Sequence, residues 1–192
     1  KTDKRYKVLE VGAGMGDTLS FLKENEIAIE TVGIDIVNGE RNKNIDKFIV
    51  DEIENVDLSK YEAYFDLVIL ADVLEHLVRP LDVLNKLNKC LNKDGQVLIS
   101  IPNIRNIKAL YKIFIKGDFA YEERGVFDFT HLRFFCKKNI IKLVEDSGLE
   151  IETITSTFKK RKGKSILKII NYITFSLLEE FFTVQYLVKA KI

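Results

Sequence analysis

The residues of this chain that could do chemistry stand beside short apolar runs. Gly12, Gly14 and Gly16 follow Val8-Leu9-Glu10-Val11 at every second position. Glycines so placed let a ligand approach bare backbone, because no Cβ blocks it and a positive φ is accessible. The stretch from Asp17 to Glu24 reads as a helix opening behind the bend, which adds unpaired N–H groups at the same spot. Glu10 puts a carboxylate at the lip of the bend, which repels a pyrophosphate and suits a ligand carrying positive charge. Asp35 lies roughly 20 residues past the glycines, where an acid at the end of a second strand accepts from both hydroxyls of a ribose. Asp51 and Glu52 follow Lys47–Val50, and Asp72, Glu75 and His76 follow the run from Phe65 to Ala71. His76 and His131 are the two histidines of the chain and its natural candidates for proton transfer near neutral pH.

The spacing narrows the ligand. A dinucleotide fingerprint is G-x-G-x-x-G, whereas here the third glycine comes one residue early. No G-K-[ST] follows, which excludes a P-loop. An NAD-dependent oxidoreductase would also need a hydride-transfer site, and none is visible. A strand-end acid occurs in more than one class of nucleoside site, so Asp35 alone does not choose among them.

Elements must position these residues. The apolar stretches Val8–Val11, Ile29–Ile36, Lys47–Val50, Phe65–Ile69 and Val97–Ile101 read as strands. Helices are expected over Asp17–Glu24, with Asp17 or Thr18 as its cap, and from Pro80 to a stop at Asp94-Gly95. Alternation of strands and helices predicts a doubly wound parallel sheet of the Rossmann type. Ligands on such sheets lie beyond the carboxyl ends of the strands, the edge to which Glu10, Asp35, Asp51, Asp72 and Asn103 all map. Residues 104–135 interrupt the pattern with a short helix, Ile107–Ile115, and an aromatic run ending in Thr130-His131-Leu132-Arg133-Phe134-Phe135. A helix over Asn139–Ser147, a strand over Leu149–Thr155 and a last strand over Val184–Ala190 follow. Between these two strands lie the basic run Lys159–Lys164 and an apolar-rich helix, Ser165–Phe182.

The 192 residues fit one domain, and a net charge of +1 argues against a general nucleic-acid binder. Cys90 and Cys136 have no metal spacing and read as reduced thiols of a cytoplasmic protein. Neither a signal peptide nor a membrane-spanning run is visible. An N-terminal segment is expected to precede Lys1, because the first strand starts almost at once. The basic run beside an apolar helix suggests either weak peripheral contact with an anionic membrane or a packing or homodimer helix behind a solvated loop.

The string E-V-G-x-G-x-G resembles the first motif of class I S-adenosylmethionine (SAM)-dependent methyltransferases. A-D-V-L-E-H-L, from Ala71 to Leu77, resembles the post-strand motif of the subgroup containing the ubiquinone-biosynthesis O-methyltransferases. T-H-L-R-F-F resembles a string of related enzymes of bacterial glycan or secondary metabolism. The resemblance implies a seven-stranded sheet with an antiparallel seventh strand, and SAM as cofactor. It implies cofactor contacts at Glu10, Gly12, Gly14, Gly16, Asp35, Ile36, Asp51, Glu52, Ala71 and Asp72. It also implies an acceptor lid over residues 104–135. His131, in that lid, is the candidate base or acceptor-orienting group; a histidine bonded only to backbone is the alternative. Some members hold a divalent ion on E-x-x-E-H; here Asp72, Glu75 and His76 form D-x-x-E-H, a methylene shorter, so no metal is expected, and an ion such as Mg²⁺ on these three is the alternative. The implied reaction is methyl transfer to a small molecule or glycan, on a hydroxyl oxygen. Nitrogen or carbon acceptors, and a SAM-binding module without turnover, stay open.

Overall fold

In the computed structural model, residues 5–160, 172–174 and 176–192 are described. Seven strands form one sheet: β1 Tyr6–Val11, β2 Ala28–Asp35, β3 Lys47–Val50, β4 Phe65–Ala71, β5 Leu91–Pro102, β6 Glu150–Ser156 and β7 Gln185–Lys191. Their order is β3-β2-β1-β4-β5-β7-β6, with β7 antiparallel to both neighbours and every other pair parallel. The expected Rossmann-like sheet is thus present, antiparallel seventh strand included.

Burial explains the apolar runs. Val8, Leu9, Val32, Phe65, Val68 and Leu70 are fully enclosed, as strands covered on both faces must be. On one face α1, Asp17–Glu24, sets Leu19 against Val8, Ala13 and Ala28. On the other, α2 (Pro80–Cys90) and α4 (Lys137–Asp146) contribute Leu84, Leu87, Ile140 and Val144 to the larger core.

Local boundaries differ from expectation in three places, each for a physical reason. Gly16, not Asp17 or Thr18, caps α1, with φ +80° and no side-chain cap. The Thr18 hydroxyl is engaged with Glu10 instead. Helix α2 stops at Cys90 rather than Asp94-Gly95. There Ala63 and Tyr64 donate to the Lys89 and Cys90 carbonyls, and Leu91 pairs with Phe65, which pulls the chain into β5 early. The helix beginning at Ile107 is regular only to Leu110 (α3) and widens to a π turn over Tyr111–Ile115. After β6 a helical turn, Thr157–Lys160, is followed, past the undescribed residues, by another over Glu179–Phe182. The basic run Lys159–Lys164 falls largely outside the described residues, as do residues 165–171 and 175 of the expected helix Ser165–Phe182; its described part is broken by turns at 174 and 176–178, where Ser176 has a φ of +64°.

Gly33 shows how tightly the sheet is filled. A Cβ there would lie 2.8 Å from the Phe48 ring and 3.2 Å from Ala13 Cβ. Gly33→Ala is expected to lower stability by about 1–3 kcal/mol through overpacking, read as a drop in the denaturant midpoint at unchanged slope.

Candidate active site

Parallel strands ending side by side bring the sequence-predicted residues to one edge. Val11 aligns with Ile34 and with Leu70, Asp35 with Val50, and Ala71 with Ser100. Residues just beyond these pairs line the carboxyl edge of the sheet, and the glycine bend rises over its middle.

All three glycines of the bend are left-handed, with φ of +69°, +54° and +80° for Gly12, Gly14 and Gly16. A Cβ on Gly12 would strike Val73 Cγ2 at 2.7 Å, whereas one on Gly14 would meet nothing within 4 Å. The space over Gly14 is therefore a cradle that a side chain would fill. The Gly14 N–H donates to Asp35 Oδ2 at 2.7 Å, and the Val37 N–H to Asp35 Oδ1 at 2.8 Å. The acid at the tip of β2 so clamps the glycine bend, and each of its oxygens keeps a second acceptor position.

Glu10 is 4% exposed and sits beneath the bend rather than at its lip. Its Oε2 has no hydrogen-bond partner among the described residues. Burial pushes its carboxyl up to about 7, against the Thr18 hydrogen bond that lowers it, and Asp17 adds repulsion. A buried acid with one unpartnered oxygen, beside an open backbone cradle, fits a ligand bearing positive charge.

The remaining predicted cofactor residues are spread along the edge. Ile36 is exposed, and Asp51 accepts from the Glu52 N–H at 2.8 Å while its own N–H donates to the Asp35 carbonyl at 3.1 Å. Asp72 has a φ of +54°, a strained conformation for a residue with a side chain. Ser100 donates to Asp72 Oδ1 at 3.1 Å, and the Gln185 amide donates to the same oxygen. Asn103 does not face the site: it is fully buried, and its amide donates to the carbonyls of Glu180 and Thr183.

The two strings after β4 and β5 meet. The N–H groups of Leu132 and Arg133 both donate to the Glu75 carbonyl, at 2.8 and 2.9 Å, and an Arg133 guanidinium N–H reaches the Val78 carbonyl. His76 and His131 pack edge to face with ring centres 4.7 Å apart. Glu75 is fully buried, and neither carboxylate oxygen has a hydrogen-bond partner among the described residues. Its Oε1 lies 4.0 Å from His131 Nε2, and burial pushes its carboxyl up to about 8. His131 is itself 7% exposed, with Nδ1 at 3.1 Å from the Val126 carbonyl. Glu75 as the partner of His131, and Gln185 as a support for Asp72, are not legible in sequence: 113 positions separate Gln185 from Asp72.

This edge can hold a nucleoside whose sugar meets Asp35 and whose cationic part meets the acids near Gly12. The profile of the methyltransferase domain family matches residues 1–154. The chain belongs to this family. Its donor is SAM, whose ribose and positive charge suit the residues above. No curated protein matches the chain. Among solved structures, a SAM-dependent methyltransferase from Archaeoglobus fulgidus superposes with a TM-score of 0.67 at 21% identity, covering 98% of this chain and 86% of that one. A Burkholderia thailandensis 1,6-didemethyltoxoflavin-N1-methyltransferase, holding its namesake compound and S-adenosylhomocysteine (SAH), gives 0.63 at 13% identity, covering 97% and 71%. A Haloferax volcanii protein in complex with the Trm112 methyltransferase activator gives 0.67 at 12% identity, covering 98% and 83%. The methyltransferase shares its fold with all three.

Glu10 sets a pH dependence. Its pKa is about 7 in the folded methyltransferase against an ordinary 4.5. Between those values the folded state holds the extra proton, so its contribution to stability falls as pH rises and is fully lost above about 7. Glu10→Gln is expected to match the parent near pH 4 and to exceed it at pH 8 by on the order of 1–3 kcal/mol, in denaturant melts without cofactor.

Proposed function

We propose that this methyltransferase transfers the methyl group to a hydroxyl oxygen of a small molecule or glycan. The observation that carries the reading is the contact between the T-H-L-R-F-F segment and the A-D-V-L-E-H-L turn through the Glu75 carbonyl. That contact supports kinship with the ubiquinone-biosynthesis and glycan O-methyltransferases. It also sets a group of proton-accepting side chains, Glu75, His76 and His131, next to the segment that we take as the acceptor lid, residues 104–135.

Bound SAM supplies an activated methyl on a sulfonium. The chain's own residues bind, align and screen. Asp35 grips the ribose, Asp51 and Ile36 flank the base, and the backbone of Gly12, Gly14 and Gly16 accommodates the rest. Glu10, ionised when a cation lies near, balances the charge on the donor. In-line alignment of acceptor and methyl lowers a barrier by up to ~7–11 kcal/mol. A hydroxyl acceptor must also lose its proton, and a positioned base adds about 10²–10⁴-fold. The cluster around His131 is that base in this reading. Phe119 packs edge to face on Phe127 and Phe134, and Phe129 and Leu132 of the same insertion are exposed, apolar surface for an acceptor. Two free cysteines suit a reducing, cytoplasmic setting.

Isothermal titration tests the cofactor half. SAM and SAH are expected to bind in the micromolar range, NAD not at all, and Asp35→Ala to weaken both by about tenfold or more, ~1.4 kcal/mol. Glu10→Gln is expected to weaken SAM more than SAH, because only SAM carries the sulfonium charge. Turnover of an amine acceptor with no turnover of any hydroxyl would reject the oxygen reading.

A further inference from the structure

Three electron-rich groups converge beneath the segment 126–133. Glu75, His76 and His131 each offer a ligand atom, and the three atoms lie within 4.8 Å of one another. The hydrogen bonds fix the histidine tautomers. His131 Nδ1 faces the Val126 carbonyl, which can only accept, so Nδ1 carries the proton and Nε2 the lone pair. His76 Nδ1 lies 3.2 Å from the Thr130 carbonyl and 3.0 Å from Thr130 Oγ1. The Thr130 hydroxyl donates to Asp128 Oδ1, so it too accepts from His76, whose lone pair is then also on Nε2. Glu75, fully buried, adds two oxygens with no donor among the described residues. Its Oε1 lies 4.0 Å from His131 Nε2, beyond hydrogen-bond distance.

We propose that Glu75, His76 and His131 form a divalent-cation site that ties the segment 126–133 to the turn after β4; with the ion bound, the histidine lone pairs are taken, and the cluster positions the insertion instead of serving as the free base. Two imidazole nitrogens and one carboxylate oxygen form a donor set suited to Zn²⁺ and its first-row neighbours rather than to Mg²⁺. Orientation of each ring by a backbone carbonyl on Nδ1 is the arrangement that fixes a metal-binding histidine. Bond lengths of about 2.0–2.2 Å require the three groups to draw together by roughly 1 Å. Asp72 is not part of the cluster, and Ser100 and Gln185 hold its Oδ1. The ligand set therefore differs from the D-x-x-E-H run of the sequence: the Asp is replaced by a histidine from the far side of the insertion. His76 is half-buried and offers the route of entry, whereas Glu75 and His131 are enclosed.

The test is equilibrium dialysis of the full chain against micromolar Zn²⁺, with elemental analysis and competition by a chromophoric chelator. One equivalent of Zn²⁺ is expected to be retained. Glu75→Gln, His131→Ala and His76→Ala are each expected to weaken it at least tenfold. SAH titration of the same samples reports the fold and the cofactor site separately, and His76→Ala, at a half-buried position, guards against a variant that fails to fold. Retention of no Zn²⁺ by the parent overturns the proposal, as does retention that a folded variant leaves unchanged. Failure of SAH to bind the Zn²⁺-loaded parent would instead strike the methyltransferase reading and leave the cation site standing.

Discussion

Strand β1 has parallel partners on both edges, β2 on one side and β4 on the other. The chain therefore winds outward to β3 first and then, from β4, in the opposite direction. Neither set of crossovers passes over the carboxyl end of β1, and a crevice opens there. Everything assigned to the site depends on this reversal. The glycine bend is the connection that leaves β1 into the crevice. Asp35 and Asp72 arrive on the neighbouring strands to either side.

Within the crevice, short polar contacts do the positioning. Asp35 holds Gly14 from below, so the bend is shaped before a ligand comes. The Glu75 carbonyl receives two N–H groups of the T-H-L-R-F-F string, so the insertion after β5 is anchored to the turn after β4 by main chain. Asn103, Asn106 and Arg105 bind the segment 179–183 at the base of the same insertion. A sheet edge thus carries an insertion held to it by main-chain and buried amide hydrogen bonds.

The buried acids work against the fold. Glu10 and Glu75 are enclosed with unpartnered oxygens, and burial raises both carboxyls well above their ordinary range. Asp72 adds a left-handed backbone. A chain selected for stability alone would replace such groups, and their concentration at one edge of the sheet is the pattern of a site that trades stability for binding.

The sequence by itself determined the alternation of strands and helices, the glycine bend and the acids at strand ends, because these follow from local periodicity and from what glycine alone permits. Helix α1 fell at Asp17–Glu24 and β3 at Lys47–Val50 as expected for that reason. Tertiary structure decided what depends on contacts between distant segments. Pairing of Leu91 with Phe65 ended α2 early, and Thr18 turned from capping its helix to meeting Glu10. Asn103 became a brace rather than a site residue, and Asp72 acquired Gln185 from the last strand. His131 came to face Glu75 across 56 positions of sequence only because the insertion folds back onto the turn after β4. No local pattern encodes such a meeting, since the energy that makes it lies in packing and hydrogen bonds between segments far apart in sequence.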